Sequence, residues 1–204
     1  ALETFEADAD GHGSNTAVGY NAGQAVSTGT GNTIVGAAAG DALVGGDDNT
    51  LLGNAAGGAT TAAGSLVIIG SGAGAAVITA DANGTVAVGA AALAALTSGQ
   101  YNVALGAQAL DANETGNGSV AVGTGALGAQ TTGNSDDVGN TAVGAFCADA
   151  ITTGFSNTAV GYVALGSSVD VDNVVAIGRA AAFANMTAAA DGTVAIGVHS
   201  LMAN

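Results

Sequence analysis

The chain has 204 residues, 49% of them hydrophobic, with 35 glycines, no proline and a formal charge of −15 from 16 acidic residues against a single basic one, Arg179. So acidic a surface excludes nucleic acid and anionic membrane as partners, because both require basic groups, and no stretch reaches the roughly 20 consecutive strongly apolar residues of a membrane-inserted span. Half the residues being apolar excludes disorder, and glycine does not recur at every third position as collagen demands.

Residues 1–13 alternate apolar and acidic side chains (Leu2, Glu3, Phe5, Glu6, Asp8, Asp10) and lie outside the pattern that follows. They read either as a frayed terminus or as a docking segment inserted into a neighbouring subunit. From residue 14 to residue 204 a short apolar run ends in glycine eleven times, at Gly19, Gly36, Gly53, Gly70, Gly89, Gly106, Gly123, Gly144, Gly161, Gly178 and Gly197. The spacings are 17, 17, 17, 19, 17, 17, 21, 17, 17 and 19 residues, which leaves no place for a domain boundary. A fixed period of this length predicts one repeat domain in which each unit buries its apolar face on its neighbours.

Each run is too short for a helix and is built from β-formers. Counting from the glycine, the residue before it is always branched and apolar (Val18, Val35, Leu52 and onward), and two residues earlier stands only Thr or Val (Thr16, Thr33, Thr50, Val67 and onward). With a period of two, these share one strand face, which is expected to be the core. The slot between them, on the other face, holds Ala17, Ile34, Leu51, Ile68, Ala87, Ala104, Ala121, Ala142, Ala159, Ala176 and Ala195. An outward stripe of this composition would be exposed on a monomer, so these eleven residues are the expected interface of a homo-oligomer.

Positions three and six after the glycine are always small, indicating close backbone approach in a narrow coil, and a threonine-rich turn then leads through Asn or Gly into the next unit (Asn15, Asn32, Asn49, Gly84, Asn102, Asn140, Asn157). The expected architecture is all-β: a parallel β-solenoid, or β-roll, of about eleven coils with two short strands each. Volume is also patterned. Units with a bulky middle slot (Ile34, Leu51, Ile68) have glycine four residues after the repeat glycine (Gly40, Gly57, Gly74), whereas most units with Ala there have Leu93, Leu110, Leu127, Leu165 or Leu201. The two slots are expected to share one space.

Candidate chemistry is sparse. Three units are longer in one turn, at 81–84, 134–139 and 189–192, and Asp81, Asn83, Asn134, Asp136, Asp137 and Asp191 there are candidate ligand contacts, since insertions on one edge of a solenoid mark its binding face. Asp47, Asp48, Asp136, Asp137, Asp170 and Asp172 are the candidates for holding Ca²⁺, although no calcium-loop motif accompanies them and solvated charge is the simpler reading. No other cofactor is indicated. Cys147 stands in a small core slot and, being the only cysteine, forms no intrachain disulfide; His12 and His199 have no partner signature, so no enzyme is expected. An ice-binding threonine array is a minor alternative.

Asn15-Thr16-Ala17-Val18-Gly19-Tyr20, Asn140-Thr141-Ala142-Val143-Gly144, Asn157-Thr158-Ala159-Val160-Gly161-Tyr162 and Thr193-Val194-Ala195-Ile196-Gly197 resemble the head repeats of YadA-like trimeric autotransporter adhesins and the similar repeats of phage tail fibres. The resemblance spans residues 14–204 and implies a trimeric β-roll on a cell surface or virion, with a surface receptor or glycan as partner. The 17-residue repeat is longer than is usual in the adhesin heads and is nearer the fibre form. The repeat runs to Asn204 without a polar cap, so end-to-end stacking into an extracellular filament is the alternative expectation.

Overall fold

A computed structural model describes residues 13–79, 81–131 and 138–202. It is all-β. Eleven three-residue strands, β1 (Thr16–Val18), β2 (Thr33–Val35), β3 (Thr50–Leu52), β4 (Val67–Ile69), β5 (Val86–Val88), β6 (Val103–Leu105), β7 (Val120–Val122), β8 (Thr141–Val143), β9 (Thr158–Val160), β10 (Val175–Ile177) and β11 (Val194–Ile196), form one parallel sheet in sequence order. Each repeat position pairs with its own equivalent, as in Thr16 with Thr33 and Ala17 with Ile34. The chain is a parallel β-solenoid in which every turn of the coil contributes one strand.

A second strand per coil is not seen among the described residues. The path after each glycine is instead a series of bends held to the next coil by backbone bonds, such as Gly23 N–H to Ala39 C=O (2.9 Å) and Ala25 N–H to Asp41 C=O (3.1 Å). The reason lies in the backbone. The second and fourth residues after the glycine are left-handed throughout, among them Asn21 and Gly23, Ala38 and Gly40, Gln108 and Leu110, Val163 and Leu165. Alternating left-handed residues break the extended run that a strand requires, while leaving every second N–H aimed at the neighbouring coil.

The repeat glycines stack on one another. At Gly106, φ is +148°, and a methyl there would stand 2.5 Å from the Gly123 carbonyl carbon. Backbone conformation and contact with the next coil both demand glycine, which is why this slot tolerates no other residue along the stack.

The core reverses the expected strand faces. Ile34, Leu51, Ile68, Ala87, Ala104, Ala121, Ala142, Ala159, Ala176 and Ala195 are buried inside the coil, and Ala17 is partly buried against the same core. They are not available as an intermolecular surface. The flanking residues face outward, with Val18, Leu52, Leu105, Val143, Ile177 and Ile196 exposed. A period of two tells which residues share a face but not which face is inside, and here both faces are apolar. The interior takes the small residue because the opposite wall must fit across a narrow coil. The predicted exchange of volume is present: a methyl at Gly40 would stand 2.6 Å from Leu51 Cδ1, and one at Gly74 would stand 2.9 Å from Ile68 Cδ1. Where the middle slot is Ala, Leu93, Leu110, Leu127 and Leu165 fill that space and are fully buried.

Candidate functional site: the outward strand face and the turn ladders

Two polar ladders set the geometry around the sheet. The first is internal. Four residues before the repeat glycine, Asn32 donates its backbone N–H (2.8 Å) and Nδ2 (3.0 Å) to Asn15 Oδ1, and its Nδ2 also donates to the Gly46 carbonyl (2.8 Å). Asn49 repeats the arrangement on Asn32, and Leu66 ends the run by donating its N–H to Asn49 Oδ1 at 3.0 Å. These amides are buried and satisfied, so they lock one coil to the next in register. In the fifth unit the slot is filled by Thr85, not by Gly84, whose left-handed backbone makes the bend before it.

The second ladder runs along an outer corner, six residues before the glycine. Asp47 Oδ1 accepts from the Thr30 N–H (2.7 Å) and Thr30 Oγ1 (3.1 Å). Asn83 accepts from Gly64 N–H (2.9 Å), Asn117 from Gln100 N–H (2.7 Å), Asp172 from Phe155 N–H (2.9 Å) and Asp191 from Asp172 N–H (2.9 Å). Two of the longer turns thus deliver Asn83 and Asp191 to the same structural post as residues of ordinary coils.

This ladder accounts for much of the acidic pattern. Asp47 and Asp172 cap neighbouring coils, while Asp48, Asp81 and Asp170 are set apart along the exposed surface. Among the described residues no group of three or more His, Cys, Asp or Glu side chains is arranged to hold a metal ion. The candidates Asn134, Asp136 and Asp137 lie outside the described residues, as does His12. Cys147 is fully buried, and burial pushes its thiol up to about 12. A thiol so held is a packing residue and not a nucleophile.

What the chain presents over its whole length is the outward face of the strands, two residues wide. One column is Thr16, Thr33, Thr50, Val67, Val86, Val103, Val120, Thr141, Thr158, Val175 and Val194; the other is the row of Val, Leu and Ile that precedes each glycine. The strand threonines therefore point outward, not inward as expected. They fall in two short runs separated by four valines, so they do not make a continuous hydroxyl lattice.

Sequence reasoning missed both ladders because Asn and Asp before a strand also read as turn formers. One available signal was parity: Asn15, Asn32 and Asn49 stand two residues from the middle slot and so share its face. A row of amides on that face needs either water or one another. Fold and site together define a β-solenoid repeat protein with one apolar strand face exposed on the single chain. No family model matches the sequence, and neither a curated protein nor a solved structure matches it.

Proposed function

We propose that the chain is a non-enzymatic structural and adhesive fibre element, a homotrimeric β-roll rod of a cell-surface adhesin or phage tail fibre, working outside the cell. The observation that carries this reading is the unbroken outward stripe of branched apolar residues, from Val18 through Leu52, Leu105 and Val143 to Ile196, exposed on the isolated chain. Soluble monomers do not keep so long an apolar stripe in water. Packing it against copies of itself in the same axial register covers it by symmetry. The number three comes from the resemblance of the Asn-Thr-Ala-Val-Gly repeats to trimeric adhesin heads.

The interface assigned to this trimer is the pair of outward columns rather than the buried middle slots. Its turns would carry receptor contacts away from the anchor. Sedimentation velocity of the intact chain, followed by negative-stain imaging, tests the reading. Discrete short rods of three chains are expected, whereas filaments lengthening with concentration would point to an end-to-end polymer and a monomer would remove the oligomer altogether.

A further inference from the structure

The geometry points to a binding site for a neutral saccharide on the units of Gly144, Gly161 and Gly178, centred on Gly166. The inference rests on the adhesive part of the function proposed above and not on trimerisation. A methyl at Gly166 would stand 3.1 Å from the Val163 carbonyl oxygen, 3.3 Å from Asp149 Oδ1 and 3.3 Å from Phe183 Cε2. A carbonyl, a carboxylate and the edge of an aromatic ring thus meet around one missing side chain. Gly166 is not in the left-handed region, so the backbone does not demand glycine there. What glycine preserves is the space.

Phe183 is not in the core; it is 38% exposed. The neighbouring surface carries two further exposed aromatics, Tyr162 and Phe146. The Phe146 ring is laid against the flat backbone of Gly125, where a methyl would stand 2.9 Å from Phe146 Cδ1. Arg179 occupies the position of Tyr162 one coil on, as the bond from Ala180 N–H to the Tyr162 carbonyl (2.9 Å) shows.

A pyranose satisfies both halves of this site. Its axial C–H face packs on an exposed ring, and its hydroxyls donate to the acceptors beside that ring. Asp149 is held above the usual carboxylate range chiefly by burial, consistent with a carboxylate that still has room for donors. That same carboxylate, in a chain of charge −15, disfavours an anionic sugar at the centre of the site.

The fold supplies its own controls. Gly58 faces the Ala38 carbonyl (3.2 Å) and Asp41 Oδ1 (3.4 Å), and Gly128 faces Asp111 Oδ1 (3.3 Å) and the Gly125 carbonyl (3.3 Å), in both cases without a ring. Only Gly166 combines the acceptors with an aromatic platform.

Saturation-transfer NMR on the intact chain with the methyl glycosides of glucose, galactose, mannose and N-acetylglucosamine, and with N-acetylneuraminic acid as the anionic comparator, tests the site. At least one neutral glycoside is expected to bind. Affinity should fall at least about tenfold in Phe183→Ala and in Gly166→Ala, persist in Phe183→Tyr, and be unchanged in Gly58→Ala and Gly128→Ala, with melting curves confirming that each variant folds. Three results would overturn the proposal: no binding of any neutral glycoside, binding that survives Phe183→Ala, or binding of the anionic sugar alone with loss in Arg179→Gln. Sedimentation of the same samples separates the two readings. A trimer that binds no sugar defeats the saccharide site alone, and a sugar-binding monomer defeats the trimer alone.

Discussion

Gln130 Oε1 accepts a hydrogen bond from Asn140 Nδ2 at 3.0 Å, the same separation at which Asn15 Oδ1 accepts from Asn32 Nδ2. The internal ladder should have its acceptor for Asn140 in the preceding coil, but that position is Ser119, whose side chain is one group too short. Gln130 reaches across from the opposite wall, donating Nε2 to Ser119 Oγ at 3.1 Å while accepting from Asn140. Replacing it strands a buried amide. Gln130→Leu should therefore destabilise the fold by about 1–3 kcal/mol, the cost of an unsatisfied buried group. The double variant Ser119→Asn, Gln130→Ala restores the ordinary rung and should recover most of that loss in denaturant unfolding. Equal loss in the single and double variants would contradict the ladder assignment.

The glycine column makes a second prediction by contrast. Gly106 and Gly118 both have positive φ, but a methyl at Gly118 meets nothing within 4 Å, whereas at Gly106 it would stand 2.5 Å from the Gly123 carbonyl carbon. Gly118→Ala should cost about 1–2 kcal/mol from conformation alone. Gly106→Ala adds backbone overlap with the next coil, and a loss of about 3 kcal/mol or more is expected. Denaturant midpoints of the two variants measure the difference.

Volume exchange inside the coil predicts non-additivity. Leu51→Ala opens a cavity and should cost about 2–5 kcal/mol. Gly40→Leu alone drives a side chain into Leu51 Cδ1 and should also destabilise. Together they reproduce the Ala-and-Leu arrangement of the later units, so the double variant should be more stable than the sum of the two losses implies. Strict additivity would show that the two slots do not share space.

How far the sequence could be read follows from these same residues. Period, strand positions, the shared space of the middle slot and the fourth position, and the core placement of Cys147 are all visible in one chain because each repeats in phase. The inward face is not, since Ala17 and Val18 are both apolar and alternation alone does not choose between them. The second strand was expected wherever small residues recur, yet Ala38, Ala55 and Ala91 take left-handed backbone, a conformation that alanine gives no sign of. The saccharide site joins Asp149, Gly166 and Phe183 across three coils, and only the stacking of equivalent positions brings them together.

Acid should strengthen this fold at first. Burial, partly offset by backbone hydrogen bonds, raises the carboxyls of Asp111 and Asp149 above their ordinary 3.8. A carboxyl whose folded pKa is raised is penalised in the native state while ionised, and the penalty is relieved as pH falls through the folded value. Over that window, just above 3.8, the native state binds more protons than the unfolded one, so stability rises as pH drops. Thermal unfolding followed from neutral pH to about pH 4 should show a rising Tm, and the rise should be smaller in Asp111→Asn, Asp149→Asn.

The central claim, that the outward strand face is where chains meet, is tested most directly by the sedimentation-derived mass of the intact chain beside that of Leu105→Asp. Leu105 is exposed on the central strand β6, so the single chain has no need of it to fold. A trimer for the parent and a folded monomer for the variant are predicted. A monomeric parent, or a variant that keeps the parent's mass, would contradict it.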